Sequence, residues 1–125
     1  MLLFFPLAFT STCTAELCDV RDQMTLYNNF EVSVFGISVD SVYTLAKYKE
    51  DQRLNFQLVS DFNKEVSTKY NSLYQKFGFD MEGVSKRAAF LIDREGLIQY
   101  SEILENASEL PNFVALKEEI RKITK

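Results

Sequence analysis

The side chains of this chain that could do redox chemistry are its two cysteines, Cys13 and Cys18. Three hydroxyl residues, 10–12, come directly before the first of them in the stretch TSTCTAELC. A sulfur in the first turn of a helix lies at the positive end of the helix dipole, among backbone N–H groups that have no intrahelical partner. Both favour a thiolate over a thiol. If a helix begins here, the spacing predicts a reactive thiolate at Cys13.

The composition removes most other kinds of catalysis. None of the 125 residues is histidine, which excludes Ser-His-Asp triads, Cys-His dyads, zinc-protease motifs and haem held by histidine. Two cysteines cannot complete a tetrahedral zinc site alone, so we expect no metal and no other cofactor. The formal net charge is -4 and the basic residues are scattered, which argues against a nucleic-acid partner. We expect a single globular domain over residues 1–125.

The first nine residues, MLLFFPLAF, allow two interpretations. One is a signal peptide, and the other is a buried strand from Leu2 to Phe5 that ends at Pro6. No basic residue precedes the apolar run and Pro6 interrupts it, which favours the strand. The run is also much shorter than the about 20 residues that a bilayer needs. We therefore expect no membrane partner, and a reducing cytoplasm as the location.

Strand and helix signals alternate along the rest of the chain. Apolar residues recur at helical steps of four and three from Cys13 to Tyr27, before Asn28 and Asn29 end the predicted helix. Further strands are predicted at 32–39, 56–59, 87–92 and 97–104, with a hairpin loop at 93–96. Further helices are predicted at 42–50, from 61 to 77, and from Pro111 onward. The order β-α-β-α-β-α-β-β-α predicts an α/β fold with a mixed central sheet flanked by helices.

The stretch from Pro6 to Cys13, PLAFTSTC, fits the pattern Pro-x-x-x-Thr-x-x-Cys and resembles the peroxiredoxins of the AhpC/TSA family. It is most similar to the AhpE-like and PrxQ-like (bacterioferritin-comigratory) groups. The resemblance continues through FQLVSDFNKEVSTKY at 56–70 and KRAAFLIDREGLIQY at 86–100. It implies a thioredoxin-like fold that lacks the N-terminal strands carried by family members, and hence an N-terminally truncated domain.

The resemblance also implies a function and four site residues. The function is a thiol-dependent peroxidase that reduces hydrogen peroxide and organic hydroperoxides. Cys13 matches the cysteine that attacks the peroxide and becomes a sulfenic acid. Thr10 matches the threonine that bonds the peroxide and the sulfur, and Pro6 the proline that shields the sulfur from water. Arg87 matches the arginine that holds the thiolate and the developing charge.

Two more residues have implied roles around this site. Glu16 resembles the glutamate of the family's Thr-x-x-Cys-x-x-Glu stretch, which suggests that it pairs with an arginine and orients the guanidinium. Arg21 and Arg94 are further candidates for that pairing. Phe9 is expected to lie near the site and to contribute to substrate binding.

Cys18 has two interpretations. It matches the Cys-x4-Cys spacing of PrxQ-like enzymes, which implies that it resolves the sulfenic acid as a disulfide. In an intact helix the two Cα atoms would lie about 8.7 Å apart, whereas disulfides rarely exceed about 7 Å, so the helix would have to unwind. The alternatives are a buried structural thiol, or an AhpE-like scheme in which an external thiol reduces Cys13 directly.

The resemblance further implies a recycling partner. We expect a thioredoxin-, glutaredoxin- or mycoredoxin-like reductant, and a monomer or a homodimer. The chain itself is not predicted to be a thioredoxin or glutaredoxin, because it has no Cys-x-x-Cys and no proline before the Arg87 strand. The alternative to a peroxidase is a non-enzymatic thiol sensor or relay, or an inactive truncated domain.

Overall fold

The computed structural model of the protein describes residues 1–124 and is built on a central five-stranded sheet. The strands are β1 (Leu2–Phe4), β2 (Phe35–Ser38), β3 (Gln57–Ser60), β4 (Leu73–Tyr74), β5 (Val84–Ser85), β6 (Arg87–Ile92) and β7 (Ile98–Leu104). The helices are α1 (Ser11–Asp22), α2 (Met24–Asn29), α3 (Val42–Gln52), α4 (Glu65–Lys69) and α5 (Phe113–Ile123). The predicted α/β class is confirmed.

The central sheet is mixed, in the order β3-β2-β1-β6-β7. β1, β2 and β3 are parallel, whereas β6 is antiparallel to both of its neighbours. Because the chain steps from β1 to β2 to β3 in one direction, right-handed crossovers place α1 and α3 on the same face. In the register of β1 with β6, Phe4 lies opposite Ala88. The first residue of β6, Arg87, therefore lies at the end of β1 from which the chain enters α1.

The two faces of the sheet bury unequal cores, as the alternation of side chains along β1 shows. Leu3 and Phe5 point into the larger core, which the apolar stripes of α1, α3 and α5 complete. Phe4 points the other way, into a smaller cluster in which it contacts the rings of Tyr70 and Phe90. The sheet is thus covered on one face by packed helices and on the other by the segment that follows α4.

The predicted helix from 61 to 77 is wrong. Only Glu65–Lys69 is helical, and the chain then forms β4, which pairs with β5. The Asp61 carboxylate accepts hydrogen bonds from the backbone N–H groups of Val66 and Ser67, at 3.0 and 2.6 Å. These donors at the start of α4 are therefore bonded to a side chain and not to a preceding helical turn. Asn71 then adopts a positive φ of 53°, which ends the turn. The helically spaced apolar residues of this stretch pack in separate places.

Three boundaries also differ from the prediction. The helix after Thr10 divides at Gln23 into α1 and α2, and β2 is shorter than the predicted 32–39. Pro111 is not the first helical residue, because α5 begins at Phe113. Its cap is Asn112, whose side chain accepts the backbone N–H of Ala115 at 3.1 Å.

Neither a membrane-spanning helix nor a cluster of metal ligands is present in the part of the chain that the structure describes. None of its helices is long and apolar enough to cross a bilayer. Within residues 1–124, no three cysteine, aspartate or glutamate side chains come close enough together to hold a metal ion.

Candidate active site

The first turn of α1 presents free backbone donors around Cys13. Thr10 is the N-cap, and the first intrahelical hydrogen bond runs from Thr14 N–H to the Thr10 carbonyl, at 2.9 Å. The N–H groups of residues 11–13 therefore have no acceptor within the helix. The Thr10 side chain does not cap the helix, because its hydroxyl donates to the Leu7 carbonyl at 2.8 Å. Its oxygen lone pairs remain available to an incoming donor.

Arg87 brings a positive charge to the sulfur from the neighbouring strand. It is the first residue of β6 and only 1% exposed. Its Nη2 donates to Cys13 Sγ at 3.3 Å, and its Nη1 donates to Glu16 Oε1 at 2.9 Å. Its Nε donates to the Ala107 carbonyl, also at 2.9 Å. With all three nitrogens engaged, the guanidinium is fixed in one orientation, with its positive charge against the Cys13 sulfur.

Burial and charge act against each other in this cluster. Burial raises the pKa of the Glu16 carboxyl to about 7, although the charge and the hydrogen bond of Arg87 oppose that rise. The second carboxyl oxygen, Oε2, has no hydrogen-bond partner among the described residues. Burial of Arg87 works against its protonation, but the negative charges of Cys13 and Glu16 outweigh it and raise the pKa of Arg87. The arginine thus keeps its charge, whereas Glu16 changes protonation state near neutral pH.

A small cavity of about 190 Å³ opens beside the sulfur. Its lining residues come from the β1–α1 loop, the start of α1, the β4–β5 connection, β6 and the loop after β7: Pro6, Thr10, Ser11, Thr12, Cys13, Phe77, Arg87, Ala107 and Ser108. The ring of Phe77 stacks on Tyr74, whose hydroxyl donates to the Leu104 carbonyl at 3.0 Å. The cavity therefore combines an apolar wall with a charged donor beside a buried sulfur.

The structure brings most of the predicted site residues together. Cys13, Thr10, Pro6 and Arg87 all line the cavity. Glu16 pairs with Arg87, so the pairings considered with Arg21 and Arg94 are wrong. Those two arginines lie elsewhere, with Arg21 bonded to Asp22 and to the Gln52 carbonyl and Arg94 paired with Glu31.

Phe9 lies close in sequence but does not line the cavity. It is 52% exposed, and its ring packs against Tyr48 of α3 with centroids 4.9 Å apart. Its backbone has a positive φ of 65°. Among the phenylalanines of this region, Phe77 lines the cavity, whereas Phe9, the predicted one, lies outside it.

Cys18 lies further along α1, in a different environment from Cys13. Its thiol is partly buried and donates to the Gln52 side-chain oxygen at 3.5 Å. Both cysteines are free, and α1 runs unbroken through both positions. The structure thus holds the two sulfurs on an intact helix, where the expected Cα separation is too long for a disulfide.

Sequence reasoning missed three contributors to this region. The helical spacing predicts Phe77 within a helix, whereas it lies in the connection between β4 and β5. Ala107 acts through its backbone carbonyl, for which a side-chain pattern carries no signal. Tyr48 donates or accepts a 2.8 Å hydrogen bond with Thr14, and only its apolar spacing with Leu45 in α3 could have marked it as facing α1.

The arrangement of sheet and cysteine defines the class of this protein. A mixed sheet of this order, with a cysteine in the first turn after its central strand, is that of a thioredoxin-fold thiol protein. The AhpC/TSA family model matches residues 1–101. The chain therefore belongs to the AhpC/TSA family, as its motifs predict.

Individual relatives agree with this assignment. The chain is 36% identical over 110 residues to the chloroplastic 2-cysteine peroxiredoxin of Chattonella marina var. antiqua, an alignment covering 82% of this chain and 53% of that protein. Among solved structures, it is similar to peroxidoxin BcpB of Mycobacterium tuberculosis, with a TM-score of 0.84 and 27% identity over 98% of this chain and 77% of the other. It is also similar to the reduced 2-Cys peroxiredoxin of Plasmodium vivax, with a TM-score of 0.80 and 30% identity over 96% of this chain and 62% of the other. The chain spans about half the length of the curated relatives it matches.

Proposed function

We propose that this protein is a thiol-dependent peroxidase for hydrogen peroxide and organic hydroperoxides. The observation that carries the proposal is the contact of 3.3 Å between the Arg87 guanidinium and the buried Cys13 sulfur, beside a cavity. The guanidinium holds a positive charge against the sulfur, at the position where it can stabilise negative charge during attack on a peroxide. Family membership supports the same chemistry.

In the first step the Cys13 thiolate attacks one peroxide oxygen. The S–O bond forms while the O–O bond breaks, and the second oxygen leaves as an alkoxide or hydroxide that takes up a proton. Charge therefore develops on the leaving oxygen, where Arg87 and the free N–H groups of residues 11–13 can stabilise it. The Thr10 hydroxyl donates its hydrogen bond to the Leu7 carbonyl. Its oxygen can therefore accept a hydrogen bond from the peroxide O–H and orient the substrate.

Two features of the cavity suit this step. Pro6 contributes a wall without a backbone donor and so limits access of water to the sulfur. Phe77 contributes an apolar surface against which the alkyl group of an organic hydroperoxide can pack. The cavity volume of about 190 Å³ is small, which favours short or narrow peroxides.

In the second step we propose that Cys18 resolves the sulfenic acid. The Cys18 sulfur attacks the Cys13 sulfur, the S–S bond forms, and the hydroxyl leaves as water with the Cys18 proton. The partly buried thiol is five residues away on the same helix, so the start of α1 must unwind for the two sulfurs to meet. A thioredoxin-, glutaredoxin- or mycoredoxin-like dithiol would then reduce the disulfide, in a reducing compartment such as the cytoplasm.

Peroxide consumption with a dithiol donor tests the proposal. Cys13→Ser should abolish turnover, while Cys18→Ser should still form sulfenic acid once for each chain. Mass spectrometry after one equivalent of peroxide should show a 13–18 disulfide in the unaltered protein. Turnover by Cys13→Ser would overturn the peroxidase assignment, and persistent sulfenic acid in the unaltered protein would favour direct reduction by an external thiol.

The same measurements separate the peroxidase from a thiol sensor or an inactive domain. A sensor would oxidise once at Cys13 and pass the oxidation on without catalytic turnover. An inactive domain would leave Cys13 as a thiol after one equivalent of peroxide. Sustained consumption that depends on Cys13 is the outcome expected here.

A further inference from the structure

Tyr48 joins α3 to the start of α1 at two points. Its side chain is fully buried, and its hydroxyl forms a 2.8 Å hydrogen bond with Thr14 Oγ1, one residue after Cys13. Its ring packs 4.9 Å from that of Phe9, the residue before the N-cap. Burial raises the pKa of Tyr48 to about 12, so the hydroxyl keeps its proton at any physiological pH. Tyr48 of α3 thus contacts one residue before the turn that carries Cys13, Phe9, and one residue after Cys13, Thr14.

This turn has little to hold it from within the helix. The N-cap residue Thr10 makes no side-chain capping bond, and the first turn of α1 has no acidic residue to complement the dipole. Among the described residues, the side-chain hydrogen bonds that tie residues 13–16 to the rest of the protein come from Arg87 and Tyr48. Together with the packing of Cys13 in the larger core, these two external contacts hold the turn in place.

Oxidation affects the two contacts differently. Arg87 bonds the sulfur itself, so its contact with Cys13 changes when the sulfur becomes a neutral sulfenic acid, and its contact with Glu16 remains. The bond between Tyr48 and Thr14 involves no sulfur and persists after oxidation. We propose that Tyr48 is a positioning residue whose bond to Thr14 keeps the first turn of α1 folded and so limits how fast Cys18 reaches the oxidised Cys13. This inference rests on the resolving role proposed for Cys18.

The time that the turn stays folded decides between two fates of the sulfenic acid. If it unwinds, Cys18 attacks and the products are the disulfide and water. If it stays folded, a second peroxide can oxidise the sulfenic acid to sulfinic acid, forming a second S–O bond as the O–O bond breaks. The ratio of sulfinic acid to disulfide at high peroxide therefore reports on the Tyr48 contact.

Tyr48→Phe tests the proposal, because it removes the hydroxyl and keeps the ring that contacts Phe9. The rate of disulfide formation is measured by rapid acid quenching and mass spectrometry. It should rise about three- to tenfold, the range expected for the loss of one net hydrogen bond. The sulfinic fraction at high peroxide should fall by a similar factor. Thr14→Val removes the other partner and should have the same effect. Tyr43→Phe, which deletes an exposed hydroxyl from the same helix, should change neither quantity.

Two further readouts separate this role from a general loss of stability. In the reduced protein, hydrogen exchange should accelerate in Tyr48→Phe over residues 14–17 and not across the sheet. The double variant of Tyr48→Phe with Thr14→Val should be no faster than either single variant, since both remove one bond.

The outcomes distinguish this inference from the proposed function. An unaltered protein that keeps its sulfenic acid and forms no 13–18 disulfide overturns the resolving role and this inference together. An unaltered protein that forms the disulfide as fast as Tyr48→Phe and Thr14→Val overturns the role of Tyr48 alone.

Discussion

The two cysteines of α1, one in each half of the helix, have opposite hydrogen-bonding environments. At its start, Cys13 is 1% exposed and accepts a hydrogen bond from a charged guanidinium. Five residues later, Cys18 is partly buried and donates a hydrogen bond to the Gln52 side-chain oxygen. A donor beside a sulfur favours the thiolate, whereas an acceptor favours the thiol. The two cysteines of one helix thus have opposite hydrogen-bond partners, a charged donor at Cys13 and a neutral acceptor at Cys18.

The largest expected effect comes from replacing the arginine at the first sulfur. Arg87→Lys keeps the charge but cannot reach Cys13, Glu16 and the Ala107 carbonyl at once, because an ammonium lacks the fixed fork of a guanidinium. The rate of sulfenic acid formation should fall about 100-fold, as for loss of a positioned transition-state donor. Stopped-flow measurement of a single turnover checks this.

Arg21→Lys is the matched control at the other end of α1. That arginine donates to Asp22 and to the Gln52 carbonyl, and no hydrogen bond joins it to either sulfur. The single-turnover rate should stay within about twofold, as for substitutions away from the reacting atoms. Equal losses in the two lysine variants would contradict the contrast between the halves of the helix.

The next largest effect concerns the buried carboxyl beside the first sulfur. The pKa of Glu16 is raised from 4.5 to about 7 in the folded protein, so the folded state binds the proton more tightly than the unfolded chain. Stability from this group is complete below pH 4.5 and is lost as pH rises toward 7, by about 3 kcal/mol. Glu16→Gln removes this dependence. Urea unfolding at several pH values should show the free energy of the unaltered protein falling relative to the variant between pH 4.5 and 7, and parallel curves would contradict the assignment.

The smallest expected effect tests the apolar wall of the cavity at the first sulfur. Phe77→Leu should lower kcat/KM for tert-butyl hydroperoxide relative to hydrogen peroxide by about three- to tenfold, the scale of a modest loss of apolar contact. Phe79→Leu, in the same connection but fully exposed and outside the cavity, is the control and should leave the ratio unchanged. An equal loss with both peroxides would show that Phe77 supports the connection and not the choice of substrate.

The regions differ in how well the sequence predicts them. The order of strands and helices follows from hydrophobic periodicity, because most elements pack one face against a core. The meeting of Cys13 with Arg87 follows from family motifs whose residues are near element ends. Both predictions depend on patterns that are local in sequence.

The stretch from 61 to 77 shows where such patterns fail. Its apolar residues have helical spacing, yet Asp61 captures the N–H groups of the short α4, and Ser67 bonds to Ser85 across the fold at 2.7 Å. Neither a side-chain cap such as Asp61 nor a contact between residues 18 positions apart, such as Ser67 with Ser85, leaves a periodic signal. For the same reason, the Ala107 carbonyl at Arg87 could not be anticipated from side-chain chemistry.

The bond between the guanidinium and the sulfur joins positions 74 residues apart in the chain. During synthesis, position 13 leaves the ribosome long before position 87 has been added. Until β6 has paired with β1, Cys13 lacks its cationic neighbour. The surroundings of Cys13 are thus assembled only with the tertiary structure, and any opening that separates β6 from β1 removes the guanidinium from the sulfur.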